Sequence, residues 1–146
     1  MAWLKCFVSN VKKAKLLSFN RTNFPSSREW ASGVHSEQIS VGHVYAHTTD
    51  AGTDIGIETG FFSCSGYSQA FVYISNNSWG NGNSGANLYC DYDTSTNTNI
   101  AGLGRESGWY IVQLNGASQV NLRFRHQSTG ADCWIDLTMS DIKLVP

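Results

Sequence analysis

Gln119-Val120-Asn121-Leu122-Arg123-Phe124-Arg125-His126 sets Val120, Leu122 and Phe124 against Asn121, Arg123 and Arg125. A period of two, with one apolar and one wet face, marks a strand half buried in a sheet. The stretch before it, Gly108 to Asn115, repeats the pattern: Tyr110, Val112 and Leu114 on one face, Trp109, Ile111 and Gln113 on the other. Asn115-Gly116-Ala117-Ser118 joins the two, and Asn-Gly is a strong hairpin-turn signal. After Ser128-Thr129-Gly130, a long segment runs from Cys133 to Val145. In it Cys133, Ile135, Leu137 and Met139 share a face, and Ile142 with Leu144 carries the closing stretch.

The same reading extends toward the N-terminus. Tyr67 to Ser75 places Ser68, Ala70, Val72 and Ile74 inside and Tyr67, Gln69, Phe71 and Tyr73 opposite. Ala86 to Asp93 offers Leu88, Cys90 and Tyr92, and Ile39 to His47 and Asp54 to Ser63 supply two more candidates. Seven or eight strands at 8–15-residue spacing, with turns of Gly, Asn, Ser and Thr, predict an all-β fold. The pattern is that of an antiparallel β-sandwich or jelly roll of about eight strands. Only residues 8–19 leave room for a helical turn.

Composition agrees. Among 146 residues there are 18 Ser, 14 Gly, 12 Asn and 10 Thr, only 14% of residues are charged, and 12% are aromatic. Those small polar residues resist helix interiors, which argues against a bundle. The aromatic content argues against disorder. No apolar run approaches the ~20 residues that span a bilayer. Met1-Ala2-Trp3-Leu4-Lys5-Cys6 runs straight on to Ser9 and Asn10 without a long apolar stretch, so no secretory signal peptide is expected. Cys6, Cys64, Cys90 and Cys133 contain no C-x-x-C pair and read as reduced, mostly buried thiols.

Charge is unevenly placed. Residues 1–30 carry six basic residues against Glu29 alone, a net of +5, while residues 31–146 carry four basic and ten acidic, a net of −6. The expected organisation is therefore a basic N-terminal arm over 1–30 and a sandwich over 31–146. Lys12, Lys13, Lys15 and Arg21 are the candidates for docking on an acidic partner, with a solvated terminal segment as the plain alternative. No basic patch with interleaved aromatics recurs, so nucleic acid is not an expected partner.

Catalytic and metal motifs are weak. Gly80-Asn81-Gly82-Asn83-Ser84-Gly85 matches a phosphate-loop pattern, but a strand follows where a helix N-terminus is required. His43 and His47 lie ~13 Å apart along a strand, too far for one metal. Asp91 to Asn97 lacks the glycine and the bidentate Glu of an EF-hand; a non-EF calcium there, or at Asp50 to Asp54, stands open beside an Asx-rich turn. No facing pair of carboxylates is legible, and Gly66-Tyr67-Ser68-Gln69-Ala70 is no nucleophile elbow. The expectation is a non-enzyme with no cofactor and no metal site. What remains is a set of rings on wet faces: Tyr67, Phe71, Tyr73, Trp79 and Trp109, with Trp134 beside them. Such rings suit stacking on sugars, a protein interface, or a second core layer.

Val120-x-Leu122-x-Phe124, Trp134-Ile135-Asp136 and Asp141-Ile142-x-Leu144 together resemble the closing strands of jelly-roll carbohydrate-binding modules and MAM-like domains. The whole chain is also similar in style to small β-rich proteins of tailed-phage virions, the capsid decoration (cement) and tail-appendage proteins. The second resemblance implies a virion surface protein, homotrimeric, with the major capsid protein and itself as partners. The first implies a glycan-binding module or receptor-binding tip working through exposed aromatics.

Overall fold

The computed structural model describes residues 12–34, 36–48, 52–76, 79–80, 86–93, 95–96, 98–103, 107–128 and 133–146. They form two antiparallel sheets and, among the described residues, no helix. The strands are β1 (Lys15–Ser18), β2 (Arg28–Ser32), β3 (Ser36–Ser40), β4 (His43–Thr48), β5 (Thr53–Glu58), β6 (Phe62–Ser63) and β7 (Gln69–Asn76). They continue as β8 (Trp79–Gly80), β9 (Ala86–Tyr92), β10 (Thr98–Leu103), β11 (Gly108–Gln113), β12 (Gln119–Ser128) and β13 (Cys133–Val145). One sheet runs β11-β7-β13-β4-β3, with β1 and β8 also on β13; the other runs β10-β9-β12-β5-β2, with β6 on β12. This is the jelly-roll β-sandwich that the alternation predicts.

The core lies between the sheets. Val120, Leu122 and Phe124 of β12, Val112 of β11, and Ala70, Val72 and Ile74 of β7 are fully buried, on the faces assigned to them by period alone. Strand β13 changes parity midway. Its register on β7 shifts between Met139 and Asp141, so Ile135, Leu137 and Met139 point inward before the bulge and Ile142 and Leu144 after it. The extra residue, Ser140, offers its carbonyl to the Phe19 N–H at 2.8 Å. A bulge of this kind keeps both halves of a long strand in one core. Phe19, Phe24 and Phe62 add a ring cluster with centroids 5.5 and 5.1 Å apart. The Asn20 side chain fixes it by accepting the Thr22 and Asn23 N–H groups.

Several expectations change. The Asn115–Gly116 turn forms, with φ of 53° and 74° and the Ala117 N–H on the Leu114 carbonyl at 2.9 Å. Its flanking strands, however, belong to different sheets, β11 to the seven-stranded and β12 to the six-stranded one, so the turn carries the chain across the sandwich with Leu114 and Val120 both buried in the core. Ile39 to His47 is not one strand but the hairpin of β3 and β4, turning at Val41–Gly42. Asp54 to Ser63 breaks after Glu58, where the Thr59 hydroxyl accepts the Leu122 N–H. Residues 15–18 are strand rather than helical turn. The supposed arm is partly body, since β1 pairs with β13 and β2 with β5. The strand count rises to thirteen among the described residues because pieces of two to six residues carry too little alternation to read.

Cys64 and Cys90 are buried free thiols. Burial raises both, Cys90 to about 12. A thiol so rarely ionised is a poor nucleophile. Peptide mapping after iodoacetamide at pH 8 should find both unmodified in the native protein and both alkylated in denaturant. Native-state labelling of Cys90 would contradict this packing.

Candidate functional site

The two outer faces differ in kind. On the six-stranded sheet, every guanidinium of a three-arginine ladder has a carboxylate: Arg28 with Glu58, Arg123 with Asp91 at 3.2 Å, and Arg125 with Asp54 at 2.8 and 2.6 Å. Asp54 also accepts the Trp30 indole N–H at 3.0 Å. The Arg125 hydrogen bonds hold the Asp54 carboxyl below its usual range. Arg28 stacks on Trp30, with the guanidinium carbon 5.0 Å from the ring centroid. The charges on this face pair with one another within the chain.

The outer face of the seven-stranded sheet is apolar where it should be wet. The β7 residues opposite Ala70, Val72 and Ile74 are Phe71 and Tyr73, and register sets Ile111 beside Phe71 and Trp109 beside Tyr73. Tyr73 and Trp109 meet edge to face with centroids 5.2 Å apart. On the other side of β7, Lys143 of β13 pairs with Phe71 and Asp141 with Tyr73. Strand β1 extends the rows, Leu16 beside Lys143 and Ser18 beside Asp141. Trp109 and Ile111 are each 50% exposed and Leu16 is 63% exposed. Phe71, Trp109 and Lys143 line a shallow groove of about 430 Å³. Further along the same face, the β4 residues His43, Tyr45 and His47 lie beside Thr138, Asp136 and Trp134. The His43 Nε2–H donates to Asp136 Oδ1 at 2.6 Å.

Of the five candidate rings, Phe71, Tyr73 and Trp109 are brought together here. Tyr67 shares their parity but precedes β7; its ring sits under the Lys12 ammonium, 4.1 Å from the centroid. Trp79, expected in a loop, belongs to β8 and pairs with Trp134. The basic candidates disperse. Lys12 is latched to the body, also donating to the Ser65 carbonyl. Arg21 pairs with Glu29 at 2.5 Å, and Glu29 is itself almost buried and accepts the Gly42 N–H. Lys13 and Lys15 are exposed. Sequence reasoning missed Lys143, Ile111 and Leu16; the alternation of 141–145 held the signal for Lys143, once the bulge is allowed for. Of the carboxylates in the open calcium question, Asp91 is engaged with Asn121 and Arg123, Asp93 with Ser118 and Asp54 with Arg125, while Asp50 lies outside the described residues. Among the described residues, no three His, Cys, Asp or Glu side chains gather as a metal site.

No protein-family model and no curated protein sequence matches the chain. Solved structures do share its fold. A mutant of a family 29 carbohydrate-binding module, made to probe ligand recognition, superposes at TM-score 0.50 with 9% identity, covering 89% of this chain and 91% of that one. Two cleaved adhesin domains of Lys-gingipain from Porphyromonas gingivalis superpose at TM-scores of 0.56 and 0.51 with 14% and 13% identity. They cover 89% and 90% of this chain and 98% of each domain. At such identities the likeness is one of fold.

Proposed function

We propose that the protein is a glycan-binding module whose binding face is the outer surface of the seven-stranded sheet. The observation that carries this is the ring patch on the outer face, exposed Trp109 beside half-buried Phe71 and Tyr73, flanked by Asp141, Lys143 and Gln113. A pyranose presents an apolar face of C–H groups and a rim of hydroxyls. Flat rings cover the first with few rotors to order, and amides, carboxylates and ammonium groups bond the second. An open groove on a rigid sheet fits weak, micromolar-to-millimolar recognition of an extended chain. Carbohydrate-binding modules of the same architecture support the reading.

The test is a glycan array followed by calorimetry. Trp109→Ala should weaken binding about tenfold, the loss of one stacked ring at ~1.4 kcal/mol, with an unchanged melting temperature because the ring is half exposed. An array without hits sinks the proposal.

A second reading, a virion decoration protein that self-associates as a trimer on the major capsid protein, draws on the low charge and on Leu16 and Ile111 in the same exposed row. Light scattering of the purified protein discriminates: a trimer whose contact is broken by Ile111→Lys favours it, and a monomer rules it out.

A further inference from the structure

We infer that the glycan bound on this face carries a carboxylate, a uronic or comparable acidic sugar, and that Lys143 reads it. This rests on the glycan-binding proposal and deepens it. Lys143 is exposed and lies in the groove wall with Phe71 and Trp109. Its cross-strand neighbours are apolar on both sides, Phe71 on β7 and Leu16 on β1. Among the described residues it makes no ion pair or hydrogen bond, whereas Lys12 is held by Ser65 and Tyr67, and Arg28, Arg123 and Arg125 each hold an acid.

The nearest carboxylate in register on the same face is Asp141, two residues back along β13 and so roughly 7 Å away, beside Tyr73. That order gives the groove a polarity. A sugar stacked on Trp109 and Phe71 meets an ammonium at one end and a carboxylate at the other. Its acid is attracted to Lys143 and repelled from Asp141, which in turn accepts sugar hydroxyls. Poorly hydrated ring walls strengthen a charge-assisted hydrogen bond relative to bulk water. A lysine that merely laid its stem across apolar surface would leave the face indifferent to ligand charge.

The experiment is calorimetry of the full chain against a panel of carboxylate-bearing oligosaccharides (galacturonate, glucuronate, mannuronate and sialylated) and their carboxyl-reduced counterparts. Wild type should bind at least one acidic member about tenfold more tightly than its reduced form. Lys143→Met, which keeps the stem and removes the charge, should abolish that preference, so that on the variant the acidic ligand binds no more tightly than its reduced form. Lys143→Arg should retain it, and raising salt from about 20 to about 200 mM should weaken only the acidic ligand. Binding of neutral glycans that equals or exceeds that of acidic ones, still lost in Trp109→Ala, overturns the acidic reading and leaves the glycan module standing. Absence of binding to either class overturns both.

Discussion

Gly56→Ala should destabilise the protein by about 3 kcal/mol or more, the upper end of what overpacking costs. Gly56 sits in the middle of β5, opposite Trp30 of β2 on one side and Arg125 of β12 on the other. A Cβ there would run into the six-membered ring of the Trp30 indole and lie 2.6 Å from the Phe124 carbonyl oxygen. The indole has little freedom to leave, with its N–H on Asp54 and the Arg28 guanidinium over its face. The carbonyl has less, being backbone of the neighbouring strand. Against a total stability of roughly 5–15 kcal/mol, such a loss is readily measured. Urea denaturation of Gly56→Ala, Trp30→Ala and the double variant separates the two clashes. The double variant should be more stable than the sum of the singles by about 1 kcal/mol, because the ring is gone, yet less stable than Trp30→Ala alone, because the carbonyl remains. A Gly56→Ala protein within about 0.5 kcal/mol of wild type would refute the close approach.

Nothing in Thr53-Asp54-Ile55-Gly56-Ile57-Glu58 announces that contact, and the reason bears on what sequence can carry. Alternation is local: it is written into β7, β11 and β12, whose buried faces follow from period alone. Sheet membership and close approach are set by distant partners. The Asn115–Gly116 turn is unmistakable, yet only packing across the core decides that it crosses between sheets. Lys15–Ser18 has four residues with no usable period, and it is strand because β13 offers it an edge. The candidate site divides the same way. Phe71, Tyr73 and Trp109 follow from being opposite buried neighbours. Tyr67 has the right parity but stands outside the strand. Lys143 joins the face only because the bulge at Ser140 resets the parity of β13.

Asn121→Asp should be as costly as any single polar substitution in this fold, about 3–5 kcal/mol, the range for leaving buried charge uncompensated. The Asn121 side chain is buried, and its amide gives one hydrogen to Glu58 Oε2 and the other to Asp91 Oδ2, both at 3.1 Å. Both carboxylates are themselves buried. Asn121 Oδ1 faces the Thr59 hydroxyl at 3.3 Å, and that hydroxyl accepts the Leu122 N–H. One amide therefore bridges two acids on β5 and β9 from the strand between them. Aspartate removes both donors and adds a third negative group at the same point. Arg28 and Arg123 stay in place, but each already has its own acid to neutralise. Asn121→Leu isolates the two effects, since it deletes the donors without adding charge and should fall between wild type and Asn121→Asp in urea midpoint. If the two variants are equally stable, like-charge repulsion is not what the amide prevents, and the arginines alone hold the acids. The network lies on the six-stranded sheet, across the core from Trp109 and Lys143. Folded Asn121→Leu should therefore keep wild-type glycan affinity, which separates damage to the scaffold from damage to the proposed binding face.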